Sequence, residues 1–126
     1  MRRLILPLLA VLGACHAPAV KITPYHPPSW LMPETFAVAQ QLDTLCPLDH
    51  PVKINVKPLQ GLWGESWFDE TEQVYIIEIN PAAEGPDGYA DTLSHEWAHC
   101  MTKCECEDPH CEHWGANYAQ CYRAIH

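Results

Sequence analysis

Basic residues are scarce in this chain, 7 Lys and Arg against 16 Asp and Glu, for a formal net charge of −9. Without a basic stripe it cannot neutralise a phosphate backbone, so nucleic-acid binding is excluded as its main task. Uninterrupted apolar runs are short as well. The longest apolar stretch, residues 4–12, is broken by Pro7 and falls far below the roughly 20 residues that a spanning helix needs. Charged residues reach only 18% beside 48% hydrophobic ones, which excludes a disordered chain. Length is limited too: 126 residues hold one domain whose core alone is marginally stable, so cross-links or a metal are expected to help. There is no internal repeat.

What is present is cysteine (7), histidine (8) and tryptophan (5), with 12 prolines unevenly spread. Met1, Arg2 and Arg3 form a positive start to the apolar run, the pattern of a secretory signal. The run ends in Leu12-Gly13-Ala14-Cys15, which resembles the bacterial lipobox. That resemblance implies cleavage after residue 14, a lipidated Cys15 as the mature N-terminus, and anchoring of an exported protein at a membrane of the cell envelope. Loss of Arg2 and Arg3 would take the net charge from −9 to −11. The alternative is an ordinary secretory signal with an incidental cysteine.

Six cysteines would then remain: Cys46, Cys100, Cys104, Cys106, Cys111 and Cys121. An even number in a small exported domain reads as a disulfide framework with 15 possible pairings. A four-thiolate zinc site at Cys100, Cys104, Cys106 and Cys111 is the rival reading.

Residues 15–32 are proline-rich and are expected to form an extended tether, leaving residues 33–126 as the domain. Within it, Pro33 and Glu34 open a helix to about Leu45, whose Val38, Leu42, Leu45 and Cys46 share an inward face. Residues 52–56 alternate as a half-buried strand, residues 63–68 suggest a second, and residues 73–79 are the strongest, rich in β-branched side chains. Asp69 to Glu72 is a polar turn and residues 84–88 a loop. Two helices follow, near residues 89–101 and 112–124. The fold class is α+β, about three helices on a small, mostly antiparallel sheet of two to four strands.

The chemistry lies in His95-Glu96-Trp97-Ala98-His99, an H-E-x-x-H helix signature. Residues i and i+4 sit one turn apart on the same face, so two imidazoles there can share one Zn²⁺. Glu96 lies at the edge of that face, where a general base for water belongs. Leu93, Trp97, Cys100 and Met101 cluster on the opposite side of the wheel, so both histidines project away from the apolar face. A third ligand must come from His110, Glu112 or His113.

Residues from about Tyr89 to Ala124 resemble small zincin metallopeptidases of the SprT-like kind and their phage-borne relatives. There, a histidine four residues before an aromatic follows the helix motif after a variable loop. His110 stands four before Trp114, so the resemblance implies His95, His99 and His110 as zinc ligands and Glu96 as catalytic base. Cys111 replaces the usual glycine and the loop spans only residues 100–109, which keeps His113 as the alternative. The implied activity is hydrolysis of an amide bond in a peptide or protein substrate. The resemblance also implies an edge strand above the metal helix, to which an extended peptide adds; residues 73–80 are the candidate, against a plain core strand. Two other readings stand beside this one: a non-catalytic zinc-binding lipoprotein closed by His113, and a disulfide-stapled interaction module. His16, His26, His50 and His126 are expected in the tether or at the surface, Trp63 and Trp67 in core or hairpin packing, and Tyr118 and Tyr122 on a core-facing helix side.

Overall fold

The computed structural model describes residues 20–24, 31–83, 85–103 and 108–126. Its elements run β1 (Val20–Pro24), α1 (Leu31–Leu45), β2 (Val52–Val56), β3 (Gly64–Asp69), β4 (Val74–Ile79), α2 (Gly85–Thr102) and α3 (Glu112–Ile125). Three helices and one four-stranded sheet make an α+β fold, as expected. The signal segment 1–14, the lipidation candidate Cys15, and His16, His26, Cys104 and Cys106 lie outside the described residues. Among those described, no helix is long and apolar enough to cross a membrane.

Strand order is β1-β2-β4-β3. The sheet is mixed rather than mostly antiparallel: β1–β2 and β2–β4 are parallel, and β3–β4 alone is antiparallel. The reason lies in the connections. Parallel neighbours need a long crossover, which α1 supplies between β1 and β2, whereas a short turn suffices between β3 and β4. In that turn Asp69 Oδ1 accepts from the backbone N–H groups of Thr71 (2.9 Å) and Glu72 (3.1 Å), and Gln73 adopts a left-handed φ of 57°.

Part of the segment read as a tether is strand β1. Its Val20 and Ile22 pack against the core, a short alternation that the surrounding prolines hide in the sequence. Pro24 closes an edge strand, where a missing N–H is tolerated. The domain therefore begins before residue 33, and α1 starts at Leu31, with Pro33 within its first turn.

The core joins Val52, Ile54 and Val56 of β2 to their register partners Tyr75, Ile77 and Ile79 of β4. Leu31, Val38 and Leu42 of α1 and Leu93 and Trp97 of α2 cover them. Each such side chain stabilises the fold by about 1.5–3 kcal/mol relative to exposure. Leu45, expected inward, is 53% exposed, because the buried stripe of α1 steps from Leu42 to Cys46 and leaves Leu45 on the flank. Helix α2 is the hub, packing against α1 and α3 and lying across β3 and β4. The Trp97 indole N–H donates to the Cys46 carbonyl at 2.8 Å, fixing the rotation of α2 about its axis.

Cys46, Cys100 and Cys121 are buried, and no S–S bond joins them in this structure. Cys111 is disulfide-bonded, which removes it from a four-thiolate zinc site.

Candidate metal centre

Helix periodicity sets the first half of the site. Leu93 and Trp97 are fully buried, and this turns His95 and His99, one turn apart, toward the opposite side, where both are half-buried. Their Nε2 atoms are 3.1 Å apart. The second half comes from a turn that enters α3. There Asp108 accepts from the backbone N–H of His110 through Oδ1 (3.0 Å) and from that of Cys111 through its carbonyl (3.1 Å). The turn delivers His110 Nε2 to 3.3 Å from His95 Nε2. Ring centroids are 4.9, 5.1 and 5.0 Å apart, close to an equilateral triangle.

These distances match a shared cation. Nitrogens at the corners of a tetrahedron with bonds of about 2.0–2.1 Å lie about 3.3–3.4 Å from one another. Hydrogen bonding among the rings is a poorer account, because a neutral imidazole carries one N–H and His95 Nε2 faces two other Nε2 atoms. His95, His99 and His110 are the one group of potential metal ligands among the described residues. His113 and Glu112, the other candidates for a third ligand, are exposed as His110 is, but they lie at the start of α3 outside that group.

Trp114 walls the cluster, its ring 4.8, 5.3 and 4.6 Å from those of His95, His99 and His110. Tyr118 stacks behind it at 5.2 Å. Burial, then the neighbouring imidazole of His110, pulls His95 below the usual histidine range. Burial followed by His95 and His110 takes His99 down to about 4. At neutral pH both rings are uncharged, which is the form that ligates a metal.

Glu96 reaches toward β3. It is 6% exposed, and Ser66 donates its hydroxyl to Oε2 at 2.7 Å. Burial pushes this carboxyl up, the Ser66 hydrogen bond pulls it back, and Glu65 adds to the rise. The approach of β3 to α2 depends on Gly64. A Cβ there would lie 2.9 Å from Thr92 Cγ2, 3.0 Å from Glu96 Cγ and 3.2 Å from the Glu78 carbonyl.

The three histidines and Glu96 open on a cleft of about 800 Å³, bounded across from α2 by Ser66, Trp67 and Phe68 of β3. The edge strand beside the site is β3, not residues 73–80, since β4 is paired on both sides. Asn80 N–H donates to the Trp63 carbonyl, so by alternation the backbone groups of Gly64, Ser66 and Phe68 face the free edge. Trp63 and Trp67 are 57% and 44% exposed rather than core. Tyr118 is partly buried against the core as expected, whereas Tyr122 is 42% exposed.

His50, read as an isolated surface residue, lines the cleft beside Phe68 and Tyr75, with Asp49 Oδ1 3.2 Å from its Nδ1. His126 bonds Asp91 at 2.8 Å. Sequence reasoning missed Ser66 and Gly64. A glycine heading an aromatic strand was the available signal for close backbone approach, whereas nothing local marks Ser66. No family model, curated protein or solved structure matches this chain.

Proposed function

We propose that this chain is a small zinc-dependent metallopeptidase, of the zincin kind its helix motif resembles, that hydrolyses amide bonds in peptide or protein substrates. The carrying observation is the convergence of three imidazole nitrogens, with a buried carboxylate on the adjoining helix position. The donor set fits Zn²⁺, for which three imidazoles and an open fourth position are a known catalytic arrangement. A bound zinc would supply a Lewis acid for the substrate carbonyl and lower the pKa of water.

The protein's own groups account for the rest. Ser66 engages Glu96 Oε2, leaving Oε1 to accept a proton from the attacking water and return it to the departing amine. An extended substrate backbone can pair with the free edge of β3, whose outward groups on Gly64 and Ser66 lie next to Glu96. Trp114 covers the imidazoles on one side with an apolar ring, leaving the cleft side open to water and substrate. The lipobox-like Cys15 adds an exported, membrane-anchored location to this reading. A non-catalytic site closed by a fourth histidine would need His113, which does not belong to the cluster.

Glu96→Gln tests the reading. The variant should keep about one zinc per chain by metal analysis and lose at least ~10²-fold in hydrolysis of a fluorogenic peptide library. Undiminished turnover in the variant, or parent protein that takes up no zinc, overturns it.

A further inference from the structure

Behind the metal helix, on the side away from the cleft, lies a second group of reactive side chains for which the proposed hydrolysis has no use. Cys46, the residue after α1, and Cys121, in the last turns of α3, are both fully buried, and their sulfurs are in hydrogen-bond contact. Neighbouring residues hold the same two elements together: Gln120 Nε2 donates to the Leu45 carbonyl at 3.4 Å. Cys121 Sγ also donates to Met101 Sδ at 3.3 Å, so the pair is seated against α2 as well. Two thiols brought together by helix packing, 75 positions apart in sequence, meet the main requirement for a cross-link, which is proximity already built into the fold.

We propose that Cys46 and Cys121 are a disulfide pair, joining the end of α1 to α3. In the step, both S–H bonds break and one S–S bond forms. The two electrons and two protons pass to an oxidant of the disulfide class, which leaves as two thiols. Exchange proceeds through the thiolate, and burial pushes both thiols up, so the docked pair is slow to react. Once formed, the bond is sealed from reductant, because both positions are fully buried. Closing so long a loop restricts the unfolded chain strongly.

The consequence reaches the metal centre from behind. Trp97, between the two motif histidines, hangs on the Cys46 carbonyl, and α3 begins with the turn that carries His110. The cross-link would tie these two supports of the imidazole triangle into one frame.

The test is disulfide mapping of the full chain folded with glutathione and glutathione disulfide, then unfolded in an alkylating reagent. Cleavage after glutamate separates the thiols well. It leaves Cys121 alone in a peptide from His113 to the C-terminus, Cys46 alone in the peptide ending at Glu65, and Cys100 together with Cys104 in the peptide beginning at Trp97. The expected result is a linked pair of the Cys46 and Cys121 peptides, two hydrogens lighter than their sum and separated by reduction. Alkylation of both thiols, a glutathione adduct on either, or a link from either to a peptide holding any other cysteine would overturn the proposal. None of these outcomes depends on zinc or on hydrolysis.

Discussion

At the scale of single residues, the candidate centre rests on which nitrogens converge. His110 Nε2 reaches His95 because Asp108 closes the turn beneath it, whereas His113, three residues on in α3, lies outside the cluster. The two histidines should therefore respond differently to replacement. His110→Ala should weaken zinc binding by more than the 10–100-fold typical of losing a group that only supports a ligand. His113→Ala should leave it within about twofold. Competition with a chromophoric chelator measures both, and a larger loss at His113 would reverse the assignment. Ser66 belongs to this scale as well, since a hydrogen bond to a buried carboxylate is worth about 1.5–3 kcal/mol and here it orients the candidate base.

At the scale of elements, the decisive contact is β3 on α2. Gly64 sets the spacing, with Thr92, Glu96 and the Glu78 backbone all within 3.2 Å of where a Cβ would stand. Gly64→Ala should push the strand from the helix and destabilise the protein by about 1–3 kcal/mol. Thr92→Ser removes the nearest methyl group and should recover part of that loss. Urea denaturation of the two variants checks this, and a Gly64→Ala protein as stable as its parent would show that the strand has room to shift. The same contact explains why β3 forms the edge of the cleft. A strand joined by a short turn to β4 lies beside it, and β2 already occupies the other side.

At the scale of the whole molecule, burial of the imidazoles couples the site to stability. The His99 ring has a pKa of about 4 in the folded, metal-free protein against about 6.5 in the unfolded chain. Between these values the unfolded state binds more protons, so stability rises with pH across the window. The contribution is fully present above about pH 6.5 and is lost as the pH falls toward 4. Metal-stripped protein should therefore show a lower urea midpoint at pH 5 than at pH 7.5, and His99→Asn should flatten the difference. An unchanged slope in that variant would mean that other groups carry the acid sensitivity.

Much of this was legible in the sequence because it is local. A helix places residues i and i+4 on one face wherever it occurs, so the pairing of His95 with His99 and their opposition to Leu93 and Trp97 followed from spacing alone. The alternation of residues 52–56 and the turn at Asp69 were readable for the same reason. The sense of strand pairing was not, because it depends on which strands become neighbours. Val20–Pro24 was hidden because a five-residue edge strand beside prolines has too little pattern of its own.

The sequence by itself determined the H-E-x-x-H helix motif, the acidic, apolar character of the chain and its α+β class, since each depends on composition or on periods of two and 3.6 residues. Only the tertiary structure decided that His110 rather than His113 completes the triangle, that β3 borders the cleft, and that Ser66 meets Glu96. Those are contacts between residues 15 to 30 positions apart or between neighbouring elements, and they arise when packing folds the chain back on itself.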